Sequence, residues 1–383
     1  MKLAERYKNA QPSGMAKIFQ AVEKLDDVLN LSIGEPDFDT EPDIIDAATK
    51  AAKEGFTHYP PLQGFADTRR AVCDYWRRHH ALDSSPDEVL ITPGAIQVPY
   101  LALQALLDPG DEVVLVEPYF TPYAGQTTSC GGVPVCLRTT EANGFVPTAA
   151  DLEKAITPRT KVLLLNSPCN PSGRVISRAQ MEEFAAIAAR RDLFVLSDEI
   201  YEALIYKGEH TAFATLPGMR ERTLTMGGLS KSHCMTGWRI GYAIGPAELI
   251  RVMTQISANQ TYGLNTLTQK ASVYALANHD AKLTERKKIF AERMDYTAGR
   301  LNKMKGVSCG LAEGAFYLFP NIEGTGLGSE EFVWSLLDKA RVATLPGSAF
   351  GKSGEGYIRI ACTQSMEILK QAMDKMEAFL KDH

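Results

Sequence analysis

A lysine set among small and polar residues carries the strongest chemical signal in the chain. In Gly228-Leu229-Ser230-Lys231-Ser232-His233-Cys234-Met235-Thr236-Gly237-Trp238-Arg239-Ile240-Gly241-Tyr242, Lys231 lies in a polar, glycine-rich turn. An amine so placed can act as a Schiff-base nucleophile. Arg239, eight residues later and at the start of a strand, can clamp a phosphate. A solvated surface lysine, the ordinary alternative, does not account for so long and specific a string. His233 reads as a packed or hydrogen-bonded histidine rather than a catalyst.

Three further segments could share a site with this lysine. Ser197-Asp198-Glu199-Ile200-Tyr201 ends a strongly apolar strand. A carboxylate there is costly unless it meets a cation, and the Tyr201 hydroxyl can reach the same pocket. Taken alone, an Asp capping the next turn explains this segment as well. In Asn166-Ser167-Pro168-Cys169-Asn170-Pro171-Ser172-Gly173, two prolines and a glycine fix an irregular backbone. Asn170 could present its amide to a ligand oxygen, a rigid turn being the even alternative, and a cis bond before Pro171 is allowed. Thr92-Pro93-Gly94-Ala95-Ile96-Gln97 leaves a strand and opens a helix. Its small residues let backbone N–H groups approach an anion, which the helix dipole favours, although such turns are mostly structural.

These segments need a scaffold, and the hydrophobic pattern describes one. Short apolar runs recur at Val89–Thr92, Val113–Val116, Pro134–Leu137, Val162–Leu165, Phe194–Ser197, Thr223–Met226 and Ile240–Ile244. Several are apolar at nearly every position, as strands buried on both faces are. Helical patterns lie between many of them, at Ile96–Leu107 and at Gln180–Arg191, the latter opened by a Ser177/Gln180 capping box. Alternation of this kind predicts an α/β unit with about seven strands in a mostly parallel sheet. Toward the C-terminus, Ala315–Phe319 and Tyr357–Ala361 read as strands and Glu330–Lys339 as a helix. Met366, Leu369, Met373, Met376 and Leu380 share one face of a last helix. This predicts a smaller α+β unit, with residues around 275–305 as a helical connector and the first 30 or so residues helical and packed on it. The expected division is 1–45, an N-terminal segment packing with the small domain; 46–280, a large domain; and 281–383, the small domain.

Composition narrows the function classes. The 383 residues are 45% apolar and 23% charged, ordinary for a soluble enzyme. A net charge of −5 offers no basic excess for nucleic acid or an anionic membrane. No run approaches 18 apolar residues, and the start lacks the apolar stretch of a signal peptide. Seven scattered cysteines without metal-ligand spacing read as reduced thiols of a cytoplasmic protein, with no metal expected. P-loop, dinucleotide, nucleophile-elbow and zincin motifs are absent.

From Ile33-Gly34-Glu35-Pro36-Asp37-Phe38 to Tyr357-Ile358-Arg359 the chain resembles the class I/II aminotransferases, the fold type I enzymes that use pyridoxal 5′-phosphate. The resemblance implies a seven-stranded, mostly parallel sheet with flanking helices and a smaller α+β domain built from both termini. It implies that Lys231 bonds the cofactor covalently and shifts a proton, and that Asp198 pairs with the pyridine nitrogen. Tyr201 and Asn170 would meet the 3′-oxygen, and Gly94, Ala95, Ile96, Ser230 and Arg239 the phosphate side. Phe120 would stack on the ring. Tyr59 would come from a neighbouring subunit, so a homodimer is implied. Arg359 would grip the substrate α-carboxylate, with Asn170 and with Gly34 allowing close backbone approach. Two departures stand out: Gly228, where many relatives carry a phosphate-binding Ser, and Ile96, where aspartate-using relatives often carry Lys. The expected activity is ping-pong transfer of an amino group from an apolar or aromatic L-amino acid to a 2-oxo acid such as 2-oxoglutarate. Aspartate transamination and C–S β-lyase chemistry are the alternatives on this scaffold.

Overall fold

The computed structural model describes residues 14–381. Its strands are β1 (Leu29–Asn30), β2 (Val89–Thr92), β3 (Glu112–Glu117), β4 (Val133–Arg138), β5 (Thr160–Asn166), β6 (Phe194–Asp198), β7 (Thr223–Gly228), β8 (Gly241–Ile244), β9 (Tyr317–Leu318), β10 (Val342–Ala343), β11 (Leu345–Pro346) and β12 (Ile358–Ala361). Its helices are α1 (Gly14–Val22), α2 (Pro42–Lys53), α3 (Ala66–His80), α4 (Gln97–Leu106), α5 (Pro122–Ser129), α6 (Ala149–Ala155), α7 (Arg178–Arg190), α8 (Ala247–Thr261), α9 (Thr266–Asn278), α10 (Asp280–Leu301), α11 (Ser329–Ala340) and α12 (Met366–Lys381).

The apolar runs become one seven-stranded sheet in the order β2-β8-β7-β6-β5-β3-β4. Only β8 runs against its neighbours, pairing antiparallel with β2 and β7. Val113, Val114, Leu115, Val195 and Leu196 have no exposed surface, because helices cover both faces of the sheet. Register then decides what stands at the carboxyl edge. Asn166 of β5 pairs with Asp198 of β6, and Asp198 with Met226 of β7. Three chain segments far apart in sequence therefore end side by side, where parallel sheets present ligand sites.

The strand expected to begin at Ile240 begins at Gly241, where the chain leaves the left-handed backbone of Arg239 (φ 54°). The capping box forms as read: Ser177 Oγ accepts from the Gln180 N–H, and Gln180 Oε1 accepts from the Ser177 N–H. The strand expected over Ala315–Phe319 shrinks to β9, because Ala315 takes φ 58°. The expected connector is two helices, α9 and α10, that meet at His279.

A second core gathers both ends of the described chain. Ile18 of α1, Leu31, Val342, Leu345, Ile358, Ile360, Leu369, Met373 and Met376 are wholly buried within it. Each such large side chain contributes roughly 1.5–3 kcal/mol by leaving water. β1 pairs parallel with β10, which fixes the N-terminal strand beside the C-terminal unit. The part of the expected N-terminal helix that falls on residues 1–13 lies outside the described residues.

Candidate active site

The carboxyl edge of the sheet opens into a cavity of about 300 Å³. Gly34, Ala95, Ile96, Phe120, Asn170, Asp198, Tyr201, Ser230, Lys231, Arg239 and Arg359 all line it. β6 delivers Asp198, the turn after β7 delivers Lys231, and β12 brings Arg359 from the second core. Gly94 does not itself line the cavity; it packs against Arg239, whose guanidinium a Cβ on it would meet. Tyr59 is not part of this chain's cavity: it is 83% exposed and packs edge-on against Tyr262, ring centres 5.3 Å apart.

Two buried groups of opposite sign face one another there. Burial raises the Asp198 carboxyl to about 6, against the pull of the Tyr123 hydroxyl and the Ile200 N–H. Burial, with Arg359 next, lowers the Lys231 amine to about 8. The Lys231 amine donates to the Gly34 carbonyl at 2.6 Å. An amine so depressed is partly neutral near pH 7 and can accept a proton. A carboxylate held by a hydroxyl and an N–H, with no cation in hydrogen-bond contact, suits a ligand that brings an N–H⁺ of its own.

The opposite wall suits an anion. Gly94 takes φ 86°, and a Cβ there would come within 2.5 Å of the Arg239 guanidinium. A Cβ on Gly241 would collide with the Ala95 nitrogen and the Gly94 carbonyl carbon. Glycine at both places lets the Ala95–Ile96 turn that leads into α4 close on Arg239, while the Gln97 and Val98 N–H groups donate to the Gly94 and Ala95 carbonyls. Arg239 donates to the Thr236 carbonyl at 2.9 Å. Its left-handed backbone costs about 1 kcal/mol for a residue with a side chain. A positive helix start beside an arginine is a phosphate cradle in its chemistry. Gly228, the departure from the usual Ser, lies in register with Gly241; a Cβ on it would meet the Ile240 carbonyl oxygen at 3.0 Å and Ile200 at 3.1 Å. A serine there is crowded, which leaves the Ala95–Ile96 backbone, Ser230 and Arg239 as the donors this side of the cavity offers an anion.

Arg359 is 2% exposed. It donates to Asn170 Oδ1 at 2.9 Å and to the Ser32 carbonyl at 2.5 Å, and its Nε has no partner. Its guanidinium lies 4.5 Å from the Tyr317 ring centre. A buried cation whose neighbours are neutral awaits a carboxylate. Asn170 follows from Asn166, whose Oδ1 accepts from the Asn170 N–H at 2.8 Å, and the Asn170–Pro171 bond is cis.

Several site residues were not legible in the sequence. Tyr123 donates to Asp198 Oδ2 from α5. Tyr317 shares a hydrogen bond of 2.8 Å with Tyr201, and a Cβ on Gly34 would strike its hydroxyl. Gly34 is therefore glycine to admit Tyr317. Met15 and Phe19 of α1 and Gln126 of α5 also line the cavity. Tyr123 stands three residues after Phe120, across the turn that opens α5, the single cue that was available. His233 is a packed histidine as read: burial lowers it to about 3, and it pairs with Ser232 Oγ at 2.8 Å.

Residues 26–376 match the family described as aminotransferase class I and II. The chain belongs to this family. It is 39% identical to the aspartate aminotransferase of Pyrococcus abyssi, over all of this chain and 99% of that protein. It is 38% identical to aromatic-amino-acid aminotransferase 2 of Thermococcus litoralis, again over all of this chain and 99% of the relative. The crystal structure of the aspartate aminotransferase from Rhizobium meliloti superimposes with a TM-score of 0.95 at 37% identity, covering all of this chain and 99% of that one. The fold and the enzyme class expected from the sequence are thus borne out: this is an aminotransferase.

Proposed function

We propose that the enzyme uses pyridoxal 5′-phosphate to move an amino group from an apolar or aromatic L-amino acid to a 2-oxo acid such as 2-oxoglutarate. The observation that carries this reading is the convergence of Lys231, Asp198, Arg239 and Arg359 on one cavity, each lacking a charged partner in direct contact among the described residues and each matching one group of the cofactor or substrate. When bound, the cofactor ring supplies an electron sink for the charge left at the substrate Cα. The phosphate side would be held by the Gly94–Ile96 backbone, Ser230 and Arg239. Asp198 would hold a proton on the ring nitrogen, with Tyr123 fixing its carboxyl. Tyr201 and Asn170 would bond the ring oxygen, and Phe120 would cover the ring face. Arg359 would bind the substrate carboxylate, and Lys231 Nζ would take the Cα proton and return it.

Ile96 favours apolar donors. It stands half exposed and lines the cavity with Met15, Phe19, Ile33 and Pro99, and the cations that line it among the described residues, Lys231, Arg239 and Arg359, each answer another group in this reading. Relatives named as aspartate aminotransferases support the second reading, aspartate as donor. A donor–acceptor panel tests both: phenylalanine or tyrosine should lead, and aspartate ahead by tenfold would overturn the apolar reading. The reading extends to a cytoplasmic homodimer in which Tyr59 of each chain serves the other's phosphate. Among the described residues no helix is long and apolar enough to cross a membrane. We place the domain boundaries at 45/46 and 280/281.

A further inference from the structure

The segment that holds the lysine is itself held by two buried arginines. Gly34, whose carbonyl accepts from Lys231, lies in an irregular stretch that runs from Leu31 to Glu41. On one side, Arg286, Phe290 and Arg293 occupy one face of α10, spaced by four and three residues. Both arginines are buried, 3% and 6% exposed. Arg293 grips Asp37 with two bonds, 2.7 and 2.9 Å, and Arg286 bonds Glu41 at 2.9 Å. Between them Phe38 lies under both guanidiniums, at 5.1 and 5.8 Å, and edge-on to Phe290. On the other side the stretch meets the lysine loop. Thr40 donates to the Cys234 carbonyl at 2.7 Å, Trp238 donates to Thr40 at 2.8 Å, and Thr236 donates to Glu35.

Arg293 has one more bond, to the Thr363 carbonyl at 2.9 Å. Thr363 follows β12, the strand that carries Arg359. One guanidinium thus braces, from the α10 side, a junction also made directly by the Asp37 N–H to the Thr363 carbonyl at 3.2 Å and by Thr363 Oγ1 to the Ile33 carbonyl at 3.2 Å. We propose that Arg293, with Asp37, is a positioning residue that keeps Lys231 in register with Arg359, and that Arg286 with Glu41 steadies the far end of the same stretch. Neither arginine lines the cavity. They act through the placement of the Gly34 carbonyl.

The kinetic part of the test rests on the aminotransferase reading; the chemical part does not. Asp37→Asn keeps the shape and removes the charge that answers the arginine fork. In the holoenzyme kcat for an accepted donor is expected to fall about tenfold or more, with KM within about twofold, since Arg359 still binds the carboxylate while the proton acceptor is misplaced. Arg293→Lys keeps the charge but loses the fork, and should behave alike. The double variant should be no slower than the slower single one, as for coupled partners. In the cofactor-free chain, acylation of Lys231 by an amine-directed reagent, read by peptide mass mapping, should quicken about threefold or more in Asp37→Asn as the amine loses its carbonyl partner. A folded Asp37→Asn protein with kcat within twofold of the parent, kcat and KM shifting together, single effects that add, or unchanged acylation each overturns the proposal. If Asp37→Asn does not fold, Glu41→Gln is put through the same two measurements. A parent chain that transaminates no donor sinks the aminotransferase reading, and the acylation comparison still decides the positioning claim.

Discussion

Asp198 shows how much one hydroxyl can matter. Its carboxyl is buried, and burial alone disfavours the charge that a protonated ring nitrogen requires. Tyr123 offsets part of that cost by donating to it. Tyr123→Phe should therefore raise the Asp198 pKa further. A group that must be charged is active above its pKa and fails as pH falls through it. The acid limb of the pH profile for cofactor binding to the cofactor-free chain is expected to move to higher pH by about one pH unit in the variant. A profile that superimposes on the parent's would show that Tyr123 does not govern Asp198. Neither Tyr123 nor Tyr317 stood out in the sequence, because an aromatic residue near an apolar strand is ordinarily core. Lys231 stood out by the long specific string around it, and Asp198, at the end of an apolar strand, gained its meaning only beside that lysine.

At the scale of elements, glycine decides how close α4 and β8 approach. A Cβ on Gly241 would overlap the Ala95 nitrogen, so Gly241→Ala must push the start of α4 away from Arg239. Cofactor affinity, followed by absorbance titration, is expected to weaken about tenfold or more as the cradle opens. Binding at parental strength would mean that the helix start holds no phosphate. The strands of the large sheet were readable because a strand buried on both faces must be apolar at nearly every position. The short strands were not. β9 is clipped by the left-handed Ala315, and β10 and β11 are too brief to show any period. α1 was read as a packing helix, and its half-buried Met15 and Phe19, one turn apart, also face the cavity. Helical spacing marks a face but cannot say which neighbour that face meets.

The whole molecule brings the two cores together around one cavity, and specificity belongs to this scale. Its apolar mouth draws on α1, the Gly34 stretch and the start of α4 at once. Ile96→Lys places a cation at that mouth. The ratio of aspartate to phenylalanine kcat/KM is expected to rise about tenfold or more, because a charged side chain then finds a partner and an apolar one loses its surface. A ratio that stays put would move the specificity determinant elsewhere on the wall. Arg293 and Asp37 belong to the same scale, and the sequence hid their pairing: they lie 256 positions apart and no spacing links them.

The account as a whole depends on the amine of Lys231 carrying the cofactor. Borohydride reduction of the holoenzyme, followed by proteolysis and peptide mass mapping, reads that attachment directly. The reduced cofactor is expected on the peptide containing Lys231, and to vanish from it in Lys231→Ala. A label on another lysine, or on none, would contradict the assignment of the site.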